Sequence, residues 1–135
     1  MSDINFKTEI VGSLEESCQR VIEALQQEGF GILNRIDLHT KLKEKLGKTL
    51  PPTVILGACN PQLAYDAFLL NSDVASLLPC NAVIREVGPN RISIELARPT
   101  AMMKLLGDQK LIQLMQHADD LLGRVIQRFE NEKAA

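Results

Sequence analysis

The sequence predicts an α+β fold: a two-layer domain in which a mainly antiparallel sheet carries two long helices on one face. Three observations lead there. Strand-like segments are grouped with flanking helices rather than alternating strictly as βαβ units. Two of them, Cys80 to Val87 and Arg91 to Ala97, are joined by Gly88-Pro89-Asn90, a hairpin signature. A closing stretch from Asp108 repeats apolar residues at helical period over several turns. The length of 135 residues suits one domain spanning 1–135, long enough for one continuous core.

Each element has a local reason. "INFKTEIVG" has the β-branched and aromatic residues of a short strand. Ser13 and Glu16 then form a capping-box pattern, in which the hydroxyl and the carboxylate satisfy orphan amide donors at a helix start. Leu14, Cys18, Val21 and Leu25 line one helix face and Gly29 stops it, so Cys18 faces the core. "ILNRIDL" predicts a second strand and "TKLKEKLG" a short basic helix closed by Gly47. Pro51 and Pro52 bar regular helix before "TVILGA", whose unbroken apolar run suits a strand buried on both faces and therefore central in the sheet. Asn60-Pro61 reads as a cap with proline at the first helical position, leading into "QLAYDAFLL". In the strand after the hairpin turn, Ile92, Ile94 and Leu96 alternate with Ser93, Glu95 and Ala97, giving one buried face. The last helix carries Leu111, Leu114, Met115, Ala118, Leu122, Val125 and Phe129 as its stripe.

Composition excludes several function classes. Apolar residues are 45% and charged residues 24%, as in an ordinary globular protein. Fifteen basic against seventeen acidic residues give a formal charge of −2, with no basic block and no Trp. That is poor material for neutralising phosphates or stacking on bases, so no nucleic acid partner is expected. The start "MSDINFKTEIVG" lacks the apolar run of a secretory signal, and no segment is apolar enough to span a membrane. A cytoplasmic protein without a membrane partner is the expectation, and in that compartment three cysteines do not make a disulfide framework.

The chemistry-bearing feature is a repeated dipeptide: Cys59-Asn60 in "VILGACNP" and Cys80-Asn81 in "LLPCNAVI", each beside a proline. Cys59 precedes a helix amino terminus, where the dipole favours an anion and should lower a thiol pKa. Cys80 opens the first hairpin strand, with Pro79 keeping Leu78 extended. If the two strands are neighbours, both thiols line one mouth of the sheet, with the Asn60 and Asn81 amides beside them. The plain alternative is that both are buried, inert thiols followed by a cap or turn residue. His39 and His117 share no ligand-like spacing with other donors, and His117 lies off the apolar stripe. Glu15-Glu16 and Asp119-Asp120 point in different directions on their helices and read as surface charges. Met102, Met103 and Met115 read as core packing, with an adaptable interface as the alternative. No phosphate loop, dinucleotide fingerprint or nucleophile elbow is present, and no motif requires a cofactor.

The set "GFGILNRIDL", "LKEKLG", "ILGACNP", "LLPCN" and "AMM" resembles the bacterial and archaeal domain-of-unknown-function family 302. The resemblance implies a TATA-binding-protein-like arrangement of sheet and two helices, commonly homodimeric, with no assigned reaction. It carries the family's Cys-Asn pairs onto Cys59-Asn60 and Cys80-Asn81. Thr53 stands where members often have an aromatic residue, and Arg98 where they often have an acidic one. Three functions follow as expectations. One is a homodimeric binding module taking a small molecule or a soft metal at Cys59, Asn60, Cys80 and Asn81. Another is a non-catalytic structural dimer with buried thiols. The last is a thiol-redox enzyme in which Cys59 attacks and Cys80 resolves, which needs Cα atoms within about 7 Å.

Overall fold

A computed structural model describes residues 4–134. Met1–Asp3, part of the start read as leader-free, lie outside the described residues. In chain order the elements are β1 (Asn5–Val11), α1 (Leu14–Gln27), β2 (Gly31–Asp37), α2 (Leu38–Leu46), β3 (Thr53–Cys59), α3 (Pro61–Leu70), β4 (Cys80–Gly88), β5 (Arg91–Ala97), α4 (Pro99–Met103) and α5 (Gln109–Ala134). Short 3-10 turns at Ser72–Leu77 and Lys104–Leu106 complete the chain.

The five strands form an antiparallel sheet in the order β1-β5-β4-β3-β2. The α+β class is therefore as read, but the central strand is not β3. That place belongs to β4, and β3 lies between it and the edge strand β2. The outer face of β3 is only partly buried, and that burial has another reason. On the face away from the core, a Cβ at Gly57 would fall on the Asn34 amide and lie 2.7 Å from Pro79 Cγ. Those two side chains lie across the strand and shield it.

Register sets which residues face the helices. Thr8, Ile94 and Ile84 stand opposite one another across three strands, as do Phe6, Leu96 and Ala82, and Leu56 joins Ala82. Against this face pack Val21 and Leu25 of α1 and Leu111, Leu122, Val125 and Phe129 of α5, all essentially free of solvent. Each such side chain contributes about 1.5–3 kcal/mol by leaving water. At the β1 edge Lys133 of α5 donates to Thr8 Oγ1 at 2.8 Å, tying the end of the helix to the sheet.

The other face of β5 is less wet than its alternation suggests. Ser93 and Glu95 are also buried. Lys7 and Arg85 flank the Glu95 carboxylate at 3.3 Å each, so its charge is paired on both sides.

The Ser13 hydroxyl half of the predicted α1 capping box and the Asn60 cap of α3 form. Ser13 Oγ accepts from the Glu16 amide at 3.2 Å, and Asn60 Oδ1 from the Leu63 amide at 3.1 Å. Gly29 and Gly47 adopt left-handed φ of 85° and 67° at the ends of α1 and α2. His39 lies inside α2 rather than before it, and its Nδ1 accepts the Thr53 amide at 2.9 Å.

Candidate functional site

The strand order answers the question raised by the repeated dipeptide. β3 and β4 are neighbours, and Cys80 stands directly opposite Ala58, one residue before Cys59. Both cysteines border a small hollow at this end of the sheet. Phe30, leading into β2, Leu63 and Ala64 of α3, and Met115 and Ala118 of α5 complete most of its wall. Its cavity volume is about 10 Å³, the lower limit for holding one water molecule, about 10–15 Å³.

Cys80 also lines a second, wider cleft of about 290 Å³. That cleft is bounded by the Ser76–Asn81 segment, Ala97 and Met102. Cys80 is thus a shared wall: tight and apolar on one side, open on the other. Asn81 is exposed and belongs to the cleft alone, whereas Asn60 borders the hollow alone. The four residues singled out from the sequence gather at one end of the sheet, but their amides do not share one surface. Asn60 also has a prior engagement, because its Oδ1 caps α3.

The electrostatics correct one expectation. Cys59 was read as a thiol of lowered pKa beside the α3 amino terminus, yet burial pushes it above its usual value. The helix end is already served by the Asn60 side chain, and desolvation of the thiolate outweighs the remaining dipole. Cys80 is pushed up to about 11, first by burial and then by the negative charges of a Cys59 thiolate and of Asp119. The Cys80 thiol therefore senses the ionisation of Cys59. Cys18 lies apart, early in α1 and almost fully buried, with its pKa raised to about 11 chiefly by burial.

Asp119 is not the simple surface charge its helix position suggests. Its carboxylate accepts from the Thr100 amide at 3.1 Å and from the Thr100 hydroxyl at 2.6 Å. Arg98 occupies the cap position of α4 without a side-chain bond to it, so Asp119 supplies the missing cap from another helix. His117, by contrast, is exposed as expected. Met103 and Met115 are buried in the core and Met102 is half-buried. Sequence reasoning assigned Met115 to the α5 stripe and did not connect it with the cysteines, because that link depends on how α5 crosses the sheet end. Among the described residues no group of three or more His, Cys, Asp or Glu side chains is placed to hold a metal ion, and no helix is long and apolar enough to cross a membrane.

The chain matches the model of the family described as "Domain of unknown function DUF302" over residues 6–129. It belongs to that family. A crystal structure of the uncharacterized conserved protein DUF302 from Bacillus stearothermophilus is similar to this DUF302 domain at 28% sequence identity. The match covers 95% of this chain and 99% of that one, with a TM-score of 0.87. No curated protein matches the domain.

Proposed function

We propose that this DUF302 domain is a homodimeric, cytoplasmic binding module, and that its site is the end of the sheet where Cys59 and Cys80 meet. One observation carries the reading: both cysteines of the repeated dipeptide border a single hollow, and Cys80 also borders an open cleft. A cysteine that borders both a tight hollow and an open cleft suits capture of a thiol-seeking occupant. Asn81, exposed in the cleft, offers an amide donor and acceptor to a polar group of that occupant.

The raised thiol pKa values count against attack near neutral pH, because the nucleophile is the thiolate. A resting thiol at Cys80 is a poor nucleophile near neutral pH, so turnover through a Cys59–Cys80 disulfide is not part of the proposal. The structural reading has its own support in the Asn60 cap, which ties β3 to α3 without any ligand.

Native mass spectrometry of freshly purified protein separates these. The binding reading expects a dimer whose subunits carry an added mass that disappears in both Cys59→Ser and Cys80→Ser. Serine variants that lose stability while the wild type carries no added mass would leave only the structural role.

A further inference from the structure

We propose that the exposed faces of α2 and α3 are the two halves of a dimer contact, in which each α2 docks on α3 of a second copy of this chain. The inference rests on the homodimeric part of the reading above and names its surface. It does not depend on the cysteines.

α3 carries apolar residues on both of its sides. Leu63 and Ala67, one turn apart, are buried, yet on the opposite side Tyr65 is 62%, Phe68 50% and Leu69 66% exposed. Those three positions are spaced i, i+3 and i+4 and so share a face. The chain has one Tyr and four Phe, so two of its five aromatic side chains stand in solvent on one short helix. A grouped apolar and aromatic surface of this kind marks an interaction site.

α2 has the complementary character. It is nine residues long with no buried side chain, although an isolated helix so short is marginal in water. Leu38, Leu42 and Leu46 recur every fourth residue along one face, and Leu46 is 64% exposed. Lys41, Lys43, Lys45 and Lys48 are all exposed, and none forms an ion pair among the described residues. Residues 61–79, by contrast, include Asp66 and Asp73 and no lysine or arginine. Charge therefore selects the occupant. An apolar face with lysines beside it fits one with aspartates beside it. Pairing α2 with α2 would oppose lysines, and an anionic lipid surface would suit α2 while leaving the acidic α3 face uncovered.

Topology then calls for two chains. α2 precedes β3 and α3 follows it, so the faces belong to opposite ends of a seven-residue strand, a separation of about 20 Å. Within one chain both stay exposed. A two-fold operator that reverses the direction of β3 sets each α2 on the partner's α3, and the same contact forms twice. The repetition matters, because a stable dimer covers about 800 Å² per partner, a large area for one short helix.

The test is native mass spectrometry of the full chain, with the wild type expected as a dimer at micromolar concentration. Leu46→Asp adds an acid facing the aspartates, and Leu69→Lys adds a base facing the lysines. Each should raise the dissociation constant about a hundredfold, since every change enters the dimer twice. Mixing the two variants should recover dimers, because a mixed pair keeps one unaltered contact and in the other the new Asp meets the new Lys. Carbodiimide cross-linking of isotope-labelled with unlabelled wild type needs no variant. It should join lysines of residues 38–50 to Asp66 or Asp73 between chains. A dimer that either variant leaves intact, that mixing fails to recover, or whose inter-chain links lie elsewhere would overturn this surface alone. A monomeric wild type, including one that sediments with phosphatidylserine vesicles through α2, would overturn the homodimer as well and leave the proposed site at Cys59 and Cys80 untouched.

Discussion

A cysteine beside a helix amino terminus feels two opposing influences, and at Cys59 burial is the larger. The dipole acts over the first turn and is partly spent once Asn60 bonds the Leu63 amide. Desolvation acts on the whole thiolate. At Cys80 the same penalty is joined by two nearby negative charges, Cys59 and Asp119, and the thiol rises to about 11. These values predict an order and a pH dependence for alkylation of the native protein by iodoacetamide. Cys59 should react first, with Cys80 and Cys18 slower, as read by time-resolved peptide mass spectrometry. Below its pKa a thiol's reactive fraction grows roughly tenfold per pH unit. The Cys80 rate should therefore keep climbing past pH 9, the value near which an ordinary thiol levels off. A Cys59 rate that levels off near neutral pH would show that the helix end prevails after all. The dipeptide marked the place in the sequence, but its ionisation was not legible there, because burial is decided by Phe30, Leu63 and Met115 arriving from other elements.

Among the elements, β3 shows most clearly what a one-dimensional reading misses. Its unbroken apolar run predicts burial on both faces and hence a central place, yet on the outer face Thr53 and Gly57 are buried while Ile55 and Cys59 are only half-buried. The strand is covered instead by single side chains from its neighbours, Asn34 from β2 and Pro79 from the segment before β4, which close over Gly57. A methyl group there has no free space on either side. Gly57→Ala should therefore cost about 1–3 kcal/mol, the usual penalty of overpacking, seen as a lowered urea midpoint. Adding Asn34→Ala should recover part of the loss, leaving the 2.7 Å approach to Pro79 Cγ as the remainder. An unchanged midpoint in Gly57→Ala would refute this account of β3. Pro79 immediately precedes Cys80, so the same packing also helps to position the thiol. The short α4 escaped sequence reasoning for a comparable reason: its cap comes from Asp119 of α5 rather than from its own flank.

In the molecule as a whole, the layers were legible and the convergence was not. Helical stripes in α1 and α5 and the alternation in β5 report which face each element buries, and they fix the α+β class. Strand order is a different kind of information. It depends on which pairings give the lowest energy for the entire chain, and only that order places Ala58 opposite Cys80 and brings α5 across the sheet end with Met115. The central claim is that two cysteines from adjacent strands border one small hollow and that one of them also borders the open cleft. Crystals of the wild-type protein treated with Hg(II) test it most directly. The account predicts anomalous peaks at Cys59 and Cys80, at one end of the sheet, and none near Cys18. A peak at Cys18, or none at either of the other two, would contradict it.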